Sequence, residues 1–345
     1  MFSLLLSFLF TYTAFAFNDT QCNVPISRKY LRSCAEPEYI SNLRLVQYNV
    51  EWLFTNEYNG CPGSSCTWSN EEEAATHLEY VKTVLDDIHP DIINFCEIEG
   101  CDELNQLSEN IDNDYGSYLI FGTDTSTGQN VGILSNQVPI SPIMETSNRI
   151  NYPIPGSKCG YTGSSGSQGV SKHYYTRFQI NELFIHMIGV HFLAYPTDVT
   201  RCVEREAQAQ VIQNIIMSVL QEYPEDEIIV LGDMNDFDGE VLDRNQNTPI
   251  SMVLNILKGK SGSSAGLYQL KNVAELAEQS ERYTDWWDSN NNCISSMNEF
   301  SMIDHILVSD YLFEKIKKVE FYHNYSEYCG KYNSDHYPII VDFEF

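Results

Sequence analysis

Apolar runs broken by single polar residues recur along the chain and outline its strands. Ile228–Leu231 (IIVL) is four consecutive apolar residues with acidic residues before and Gly232 after, the signature of a buried strand. Asp233 and Asn235 follow; on an extended chain residues two apart share a side, so a carboxylate and a carboxamide should leave the strand end together. Leu43–Val50 (LRLVQYNV) alternates apolar and polar, a strand that ends at Asn49 and Glu51. Ile92–Phe95 is a short apolar strand with Glu97 just beyond it. Tyr118–Phe121 and Val131–Leu134 read as strands around the polar loop Gly122–Asn130. Tyr174–Ile180 and Leu183–Val190 predict a hairpin across Asn181-Glu182, with His191 at the end of its second strand. Met302–Val308 is a strand that contains Asp304, and Ser334-Asp335-His336 leads into a last strand, Ile339–Phe343.

Helical spacing is interspersed with these runs. Ser69 and Glu72 form an S-x-x-E capping box, which predicts a helix to about Ile88, before Pro90. Cys101–Ile111 and Pro249–Leu257 are helical in pattern. Glu204–Tyr223 places Val211, Ile212, Ile215, Ile216, Val219 and Leu220 on one face and stops at Pro224. Gly156–Gly169 and Lys258–Gly266 are rich in Gly and Ser; the first is expected to be a mobile surface loop. Without long repeats or a low-complexity linker, the pattern predicts one α+β domain from about Leu43 to the C-terminus, its polar motif residues at strand ends.

Composition changes the picture in two ways. The 345 residues are 43% hydrophobic, enough for a large core. Lys+Arg 20 against Asp+Glu 48 gives a net charge of −28, so no basic stripe exists for tight nonspecific binding of nucleic acid. A hydrolase that touches nucleic acid briefly is still allowed, because a bound metal supplies local positive charge. Met1–Ala16 reads as a secretory signal, with the apolar run LLLSFLF and small residues before Phe17; the run is too short and too rich in Ser and Thr for a membrane anchor. Residues 17–42 carry Cys22, Cys34, Pro25 and Pro37 and read as a cysteine-containing extension ahead of the 43–345 domain.

All ten cysteines follow the signal, an even count that suggests disulfides in an exported chain. Their spacing lacks a C-x2-C pair and flanking histidines, which argues against zinc. The pairing does not follow from the sequence; Cys61–Cys66 and Cys293–Cys329 are two that we put forward. Asn18-Asp19-Thr20 and Asn324-Tyr325-Ser326 are glycosylation sequons.

The polar residues that stand where apolar runs stop are Asn49, Glu97, His191, Asp233, Asn235, Asp304, Asp335 and His336. Singly, each has an ordinary reading: Asn49 a turn cap, Glu97 a solvated carboxylate, His191 a hydrogen-bonded core residue. Together they are what phosphate-ester hydrolysis needs. A carboxylate holds a metal that polarises the phosphoryl oxygen. A second carboxylate or an imidazole orients and deprotonates water. A neutral amide and a His hold the remaining oxygens, and an Asp behind a His fixes its tautomer. There is no G-x-S-x-G nucleophile motif, and the cysteines read as structural.

At these residues the chain resembles the endonuclease/exonuclease/phosphatase superfamily, and its deoxyribonuclease I-like secreted members in particular. The matching pieces are QYNVEWLF, NFCEIEG, IGVHF, VLGDMND, IDHILVS and SDHYPI, between Leu43 and Phe345. The resemblance implies a four-layer α/β/β/α sandwich with a metal site at one edge of its sheets. It implies that Glu97 binds Mg2+ or Mn2+, helped by Asn49 and Asp335, and it admits a structural Ca2+. His336, oriented by Asp304, is implied as general base or phosphate ligand, His191 as acid or electrostatic stabiliser, and Asp233 and Asn235 as the residues that position water and phosphate. An Arg on the strand before the His191 strand is also implied; Lys172, His173 and Arg177 all lie in that region, and the sequence does not choose among them.

The function expected is a secreted metal-dependent endonuclease with DNA as transient substrate, monomeric and without a transmembrane segment. Export to the medium and delivery to an acidic vacuolar lumen both fit. A sphingomyelinase-like phosphodiesterase or a phosphoinositide phosphatase on the same fold is the alternative, since a zwitterionic headgroup needs no basic groove. The inositol phosphatase pattern expects Trp-Thr-Asp-Arg where this chain has Met302-Ile303-Asp304-His305. A binding protein that kept only the scaffold is a third class, but every core motif position is filled. In RYTDWWD (Arg282–Asp288), Trp286 and Trp287 either border the site or pack.

Overall fold

The computed structural model describes residue 22 and residues 39–55, 66–109, 111, 115–325 and 333–345. The signal Met1–Ala16, most of the 17–42 extension, the Asn18 sequon, and Cys61 and Cys329 of the two proposed pairings lie outside the described residues.

In chain order the elements are β1 (Asn42–Leu53), α1 (Glu71–Ile88), β2 (Ile92–Ile98), α2 (Cys101–Ser108), β3 (Gly116–Leu119), β4 (Asn130–Ser135), β5 (Arg149–Tyr152) and β6 (Gly166–Gly169). There follow β7 (His173–Ile180), β8 (Leu183–His191), α3 (Val199–Glu222), β9 (Glu227–Asp233), α4 (Val253–Leu257) and β10 (Leu270–Asn272). The last are β11 (Asp285–Trp286), β12 (Phe300–Ser301), β13 (Asp304–Ser309), α5 (Asp310–Glu314), β14 (Ile316–Phe321) and β15 (Ile339–Glu344). A six-stranded sheet runs β14-β15-β1-β2-β4-β3 and a five-stranded sheet runs β10-β13-β9-β8-β7.

Period-two alternation assigns each strand residue to a layer. Leu43, Leu45, Ile92, Val131 and Ile133 of the first sheet meet Ile185, Met187, Ile229, Leu231, Ile306 and Val308 of the second in one core between the sheets. The opposite face of the first sheet, Val46, Tyr48, Ile93 and Phe95, packs on Leu78, Val81 and Leu85 of α1 and on Leu104 and Leu107 of α2. The opposite face of the second, Ile188, Val190, Ile228 and Val230, packs on Val211, Ile212, Ile215 and Ile216 of α3 and on α4. The result is an α+β domain, as the pattern predicts, with the four-layer α/β/β/α arrangement that the family resemblance implies.

Several local expectations shift. The α1 cap is one residue later: Asn70 accepts from Glu73 N at 3.0 Å, and Glu73 reaches back to Ser69 N at 2.8 Å, because Asn is as good a cap as Ser. Part of the Gly156–Gly169 segment is ordered as β6, paired to β5 against α3, since its glycines let backbones approach closely. The helix expected over Pro249–Leu257 is confined to Val253–Leu257, and the Met302 strand starts only at Asp304.

Disulfides join Cys22 to Cys101 and Cys159 to Cys202, and Cys66 and Cys293 are also disulfide-bonded. Cys96 is a buried free thiol, so the even count does not put every cysteine in a bridge. Among the described residues no helix is long and apolar enough to cross a membrane.

Candidate active site

The rows that build the core between the sheets also build the site. Along β8 the inward positions Ile185, Met187 and Gly189 end at His191; along β9, Ile229 and Leu231 end at Asp233. Pairing then aligns the ends, His191 with Asp233 in the parallel β8–β9 pair and Asp304 with Asp233 in the antiparallel β13–β9 pair. On the first sheet, Leu43, Leu45 and Gln47 lead to Asn49, which pairs with Cys96. Both sheets therefore run out of apolar residues at one shared rim.

Glu97 needs more than alternation. It lies inside β2, where its parity would aim it at the helices. A register shift on both sides of β2 and a left-handed backbone at Glu97 (φ 68°) turn it to the rim. Glu51 (φ 49°), Trp52 (φ 54°) and Asn235 (φ 49°) are left-handed too, a concentration of strain of the kind found at functional sites. Trp52 N holds Glu97 Oε2 at 3.0 Å.

Asn49 is the hub of the rim. Its Nδ2 donates to Asp233 Oδ2 at 3.1 Å and to Glu97 Oε1 at 3.3 Å, and lies 3.4 Å from His336 Nε2. His191 Nε2 is 3.5 Å from Asp233 Oδ2 and 3.8 Å from Glu97 Oε1. His336 Nδ1 is bonded to Asp304 Oδ2 at 2.7 Å, and its Nε2 faces Asp285 Oδ1 at 3.8 Å and Asp335 Oδ1 at 3.9 Å. Ser334 Oγ donates to Asn49 O at 2.8 Å and accepts from His336 N at 3.0 Å, which fastens the Ser334-Asp335-His336 segment to β1.

The two imidazoles are driven apart. Burial disfavours charge on His336, but Asp304, Asp335 and Asp233 outweigh it and hold the imidazolium well above its ordinary range. Burial, with Lys172 and His336 nearby, keeps His191 neutral well below that range. Burial and the neighbouring Asp304 raise Asp233, and burial and Glu51 raise Asp335. Burial takes Asp285 up to about 6, and takes Glu51 up to about 7 with Glu97 adding to it.

The eight polar residues that stop the apolar runs are on or beside this rim, but Asn235 differs from expectation. The chain leaves the strand at Asp233, so alternation no longer applies. Asn235 donates its Nδ2 to Phe192 O at 3.2 Å, and its backbone N–H holds Asp233 Oδ1 at 2.9 Å. Of the three basic candidates, Lys172 is next to the site: its carbonyl accepts from His191 N at 3.0 Å, and its Nζ bonds Gln129 at 3.0 Å and Asp124 at 3.4 Å. Arg177 sits farther along β7, paired with Asp226 at 2.7 Å. His173 Nε2 accepts from Thr146 N at 3.0 Å. Asp285, Glu51, Gln47 and Asn94 were missed. For Gln47 and Asn94 a signal existed, a polar residue in an otherwise apolar inward row.

The donors fit a hard divalent cation. Carboxylate oxygens of Glu97 and Asp233 converge on one point, now occupied by an amide donor. Asp285, Asp335 and His336 form a second group with ligand atoms within 4.8 Å of one another. Among the described residues these acids lie at ion-pair distance only from the His336 imidazolium and the neutral His191, so carboxylates outnumber cations. Hard oxygens in such excess suit Mg2+ or Mn2+.

No protein-family model and no curated protein matches this chain. Among solved structures, truncated TDP2 from Caenorhabditis elegans is similar with a TM-score of 0.52 at 13% identity, over 88% of this chain and 98% of that one. D. rerio TDP2 complexed with single strand DNA product gives 0.51 at 18% identity, over 89% and 100%. An endonuclease/exonuclease/phosphatase family protein from Leptotrichia buccalis C-1013-b gives 0.52 at 14% identity, over 88% and 100%. At these identities the likeness shows a shared fold.

Proposed function

We propose that the chain is a secreted, divalent-metal-dependent phosphodiesterase acting as a DNA endonuclease. What carries the reading is the meeting of the Asp304–His336 pair with Glu97, Asp233 and His191 around Asn49, where distant strands end together. The D. rerio TDP2 of the same fold, complexed with single strand DNA product, supports the substrate class. The disulfides support export.

Glu97, with Asp335 assisting, would hold Mg2+ or Mn2+; Asn49 would join them only through its amide oxygen, which here accepts from Glu51 N at 3.1 Å. When bound, the ion polarises a phosphoryl oxygen and stabilises charge on the leaving oxygen. Asp304 fixes the His336 proton on Nδ1 and aims Nε2 into the site, where the imidazolium binds a scissile phosphate oxygen. Asp233, steadied by the Asn235 N–H, orients water and takes its proton. His191, neutral and beside Asp233 and Glu97, helps to hold the reacting phosphate. With a net charge of −28, DNA binding is weak and turnover nonprocessive.

A zwitterionic phosphodiester is the second reading, and one feature favours it. A cavity of about 550 Å³ is lined by Glu99, Asp102, Glu103 and Asp124 with Phe54 and Phe121, a surface suited to a cationic headgroup. Plasmid nicking, DNA and RNA hydrolysis and phosphocholine release from sphingomyelin, each with Mg2+, Mn2+ or chelator, separate the readings. Intact plasmid under every metal and pH condition would remove the nuclease proposal.

A further inference from the structure

A line of polar side chains crosses the apolar core between the sheets and ends on Asp304. Tyr174 OH donates to Asn94 Oδ1 at 2.7 Å, Asn94 Nδ2 to Gln47 Oε1 at 2.5 Å, and Gln47 Nε2 to Asp304 Oδ1 at 3.0 Å. The other Asp304 oxygen accepts from His336. Gln47, Asn94 and Tyr174 are fully buried. Their neighbours in the inward rows are Leu45, Ile92, Met187 and Leu231.

The direction of the line is forced. A carboxylate can only accept, so Gln47 must present its NH2 to Asp304 and its oxygen to Asn94. Asn94 must then present its NH2 to Gln47 and its oxygen to Tyr174, whose single hydroxyl proton has to point at Asn94. Along this line each donor thus points toward the Asp304 charge, and the Gln47 amide also donates to Cys96 Sγ at 3.6 Å. The line also spans the layers, with Gln47 and Asn94 from the first sheet and Tyr174 from the second. Gly189 makes room for it, since a Cβ there would lie 2.3 Å from Tyr174 Cε1 and 2.5 Å from Asn94 Oδ1. Burying amides and a hydroxyl among aliphatic side chains gains little stability over an apolar filling, so a role beyond packing is indicated.

We infer that Tyr174, Asn94 and Gln47 are a positioning relay that fixes the Asp304 carboxylate, and through it the ring orientation of His336 and its Nδ1–H bond. Only the kinetic consequence rests on the phosphodiesterase reading. Gln47→Met keeps the volume and removes the donor. Its kcat on plasmid DNA with Mg2+ should fall about 10–100-fold with KM within about twofold. Tyr174→Phe should lower kcat by about 3–10-fold, and the double variant should be no slower than Gln47→Met, because both act through one line. In a His336→Ala background, Gln47→Met should change residual activity by less than about twofold.

A second readout needs no turnover. In protein with 15N-labelled histidine, the His336 Nδ1–H resonance, identified by its loss in His336→Ala, should shift or broaden in both Gln47→Met and Tyr174→Phe while the other imidazole signals stay in place. An unchanged His336 signal in both variants would overturn the relay, as would full additivity of the two kcat losses. If the parent protein cleaves no phosphodiester, the phosphodiesterase reading falls, and the resonance alone decides the relay.

Discussion

Arg205 Nε lies 3.1 Å from Asp236 Oδ2, with both side chains fully withdrawn from water. The same guanidinium donates to the carbonyls of Leu193, Ala194, Tyr195 and Pro196 at 2.8–3.2 Å. One buried cation on α3 therefore clamps the segment after His191 to the segment after Asp233, and the rim keeps its shape because both segments are held from behind. Arg205→Ala should lower unfolding free energy by about 3–5 kcal/mol, since it strands Asp236 as an unpaired buried charge. Urea denaturation measures this. A loss under about 1 kcal/mol would show that Asp236 finds other partners.

The Asp304–His336 pair predicts a steep loss of activity without loss of fold. His336→Ala and Asp304→Asn should each lower kcat by roughly 10³-fold or more, the second by presenting a donor where Nδ1–H needs an acceptor. Near-UV circular dichroism should stay at the parent signal. Residual rates above a tenth of the parent would move the chemistry elsewhere.

Excess carboxylate at the rim predicts stabilisation by a divalent ion. Mg2+ or Mn2+ at about 100 times its Kd should add about 2.7 kcal/mol, seen as a rise in Tm that EDTA reverses. Glu97→Gln should abolish that rise while leaving the metal-free Tm within a few degrees of the parent. An equal rise in parent and variant would place the ion away from Glu97.

His173 predicts a stability change on the acid side. Burial lowers its pKa from 6.5 to about 4. Between those values the unfolded chain binds the proton and the folded chain does not. Its contribution is thus fully present above pH 6.5 and lost as pH falls toward 4, about 3 kcal/mol over the window. His173→Gln should be less stable than the parent at pH 7, where the acceptor for Thr146 N is weakened, and should close the gap or overtake it near pH 4.5. Denaturant midpoints of both proteins across that range check it; parallel curves would contradict the shift.

Much of the architecture was legible because its signals are local. Apolar runs and their alternation named most strands of the two large sheets, and the polar residues that stop those runs named most of the rim. The short edge strands β10 and β14 gave no such signal, because Leu270–Asn272 is brief and Ile316–Phe321 mixes charge into a half-exposed edge. Alternation also failed where the backbone departs from extended geometry. Glu97 was placed beyond its strand although a bulge within the strand turns it to the rim, and Asn235 was grouped with Asp233 although a left-handed turn sends its amide to Phe192.

By itself the sequence determined where the chain is extended, which faces are apolar and which polar side chains stand at the ends of the runs, since those follow from neighbours a few positions away. Tertiary structure alone decided that β1, β2, β8 and β9 end, and β13 begins, at one rim, that Lys172 rather than Arg177 adjoins it, and that Tyr174 reaches Asp304 through Asn94 and Gln47. These depend on the register between strands far apart in the chain and on how two sheets stack, and no local pattern encodes either.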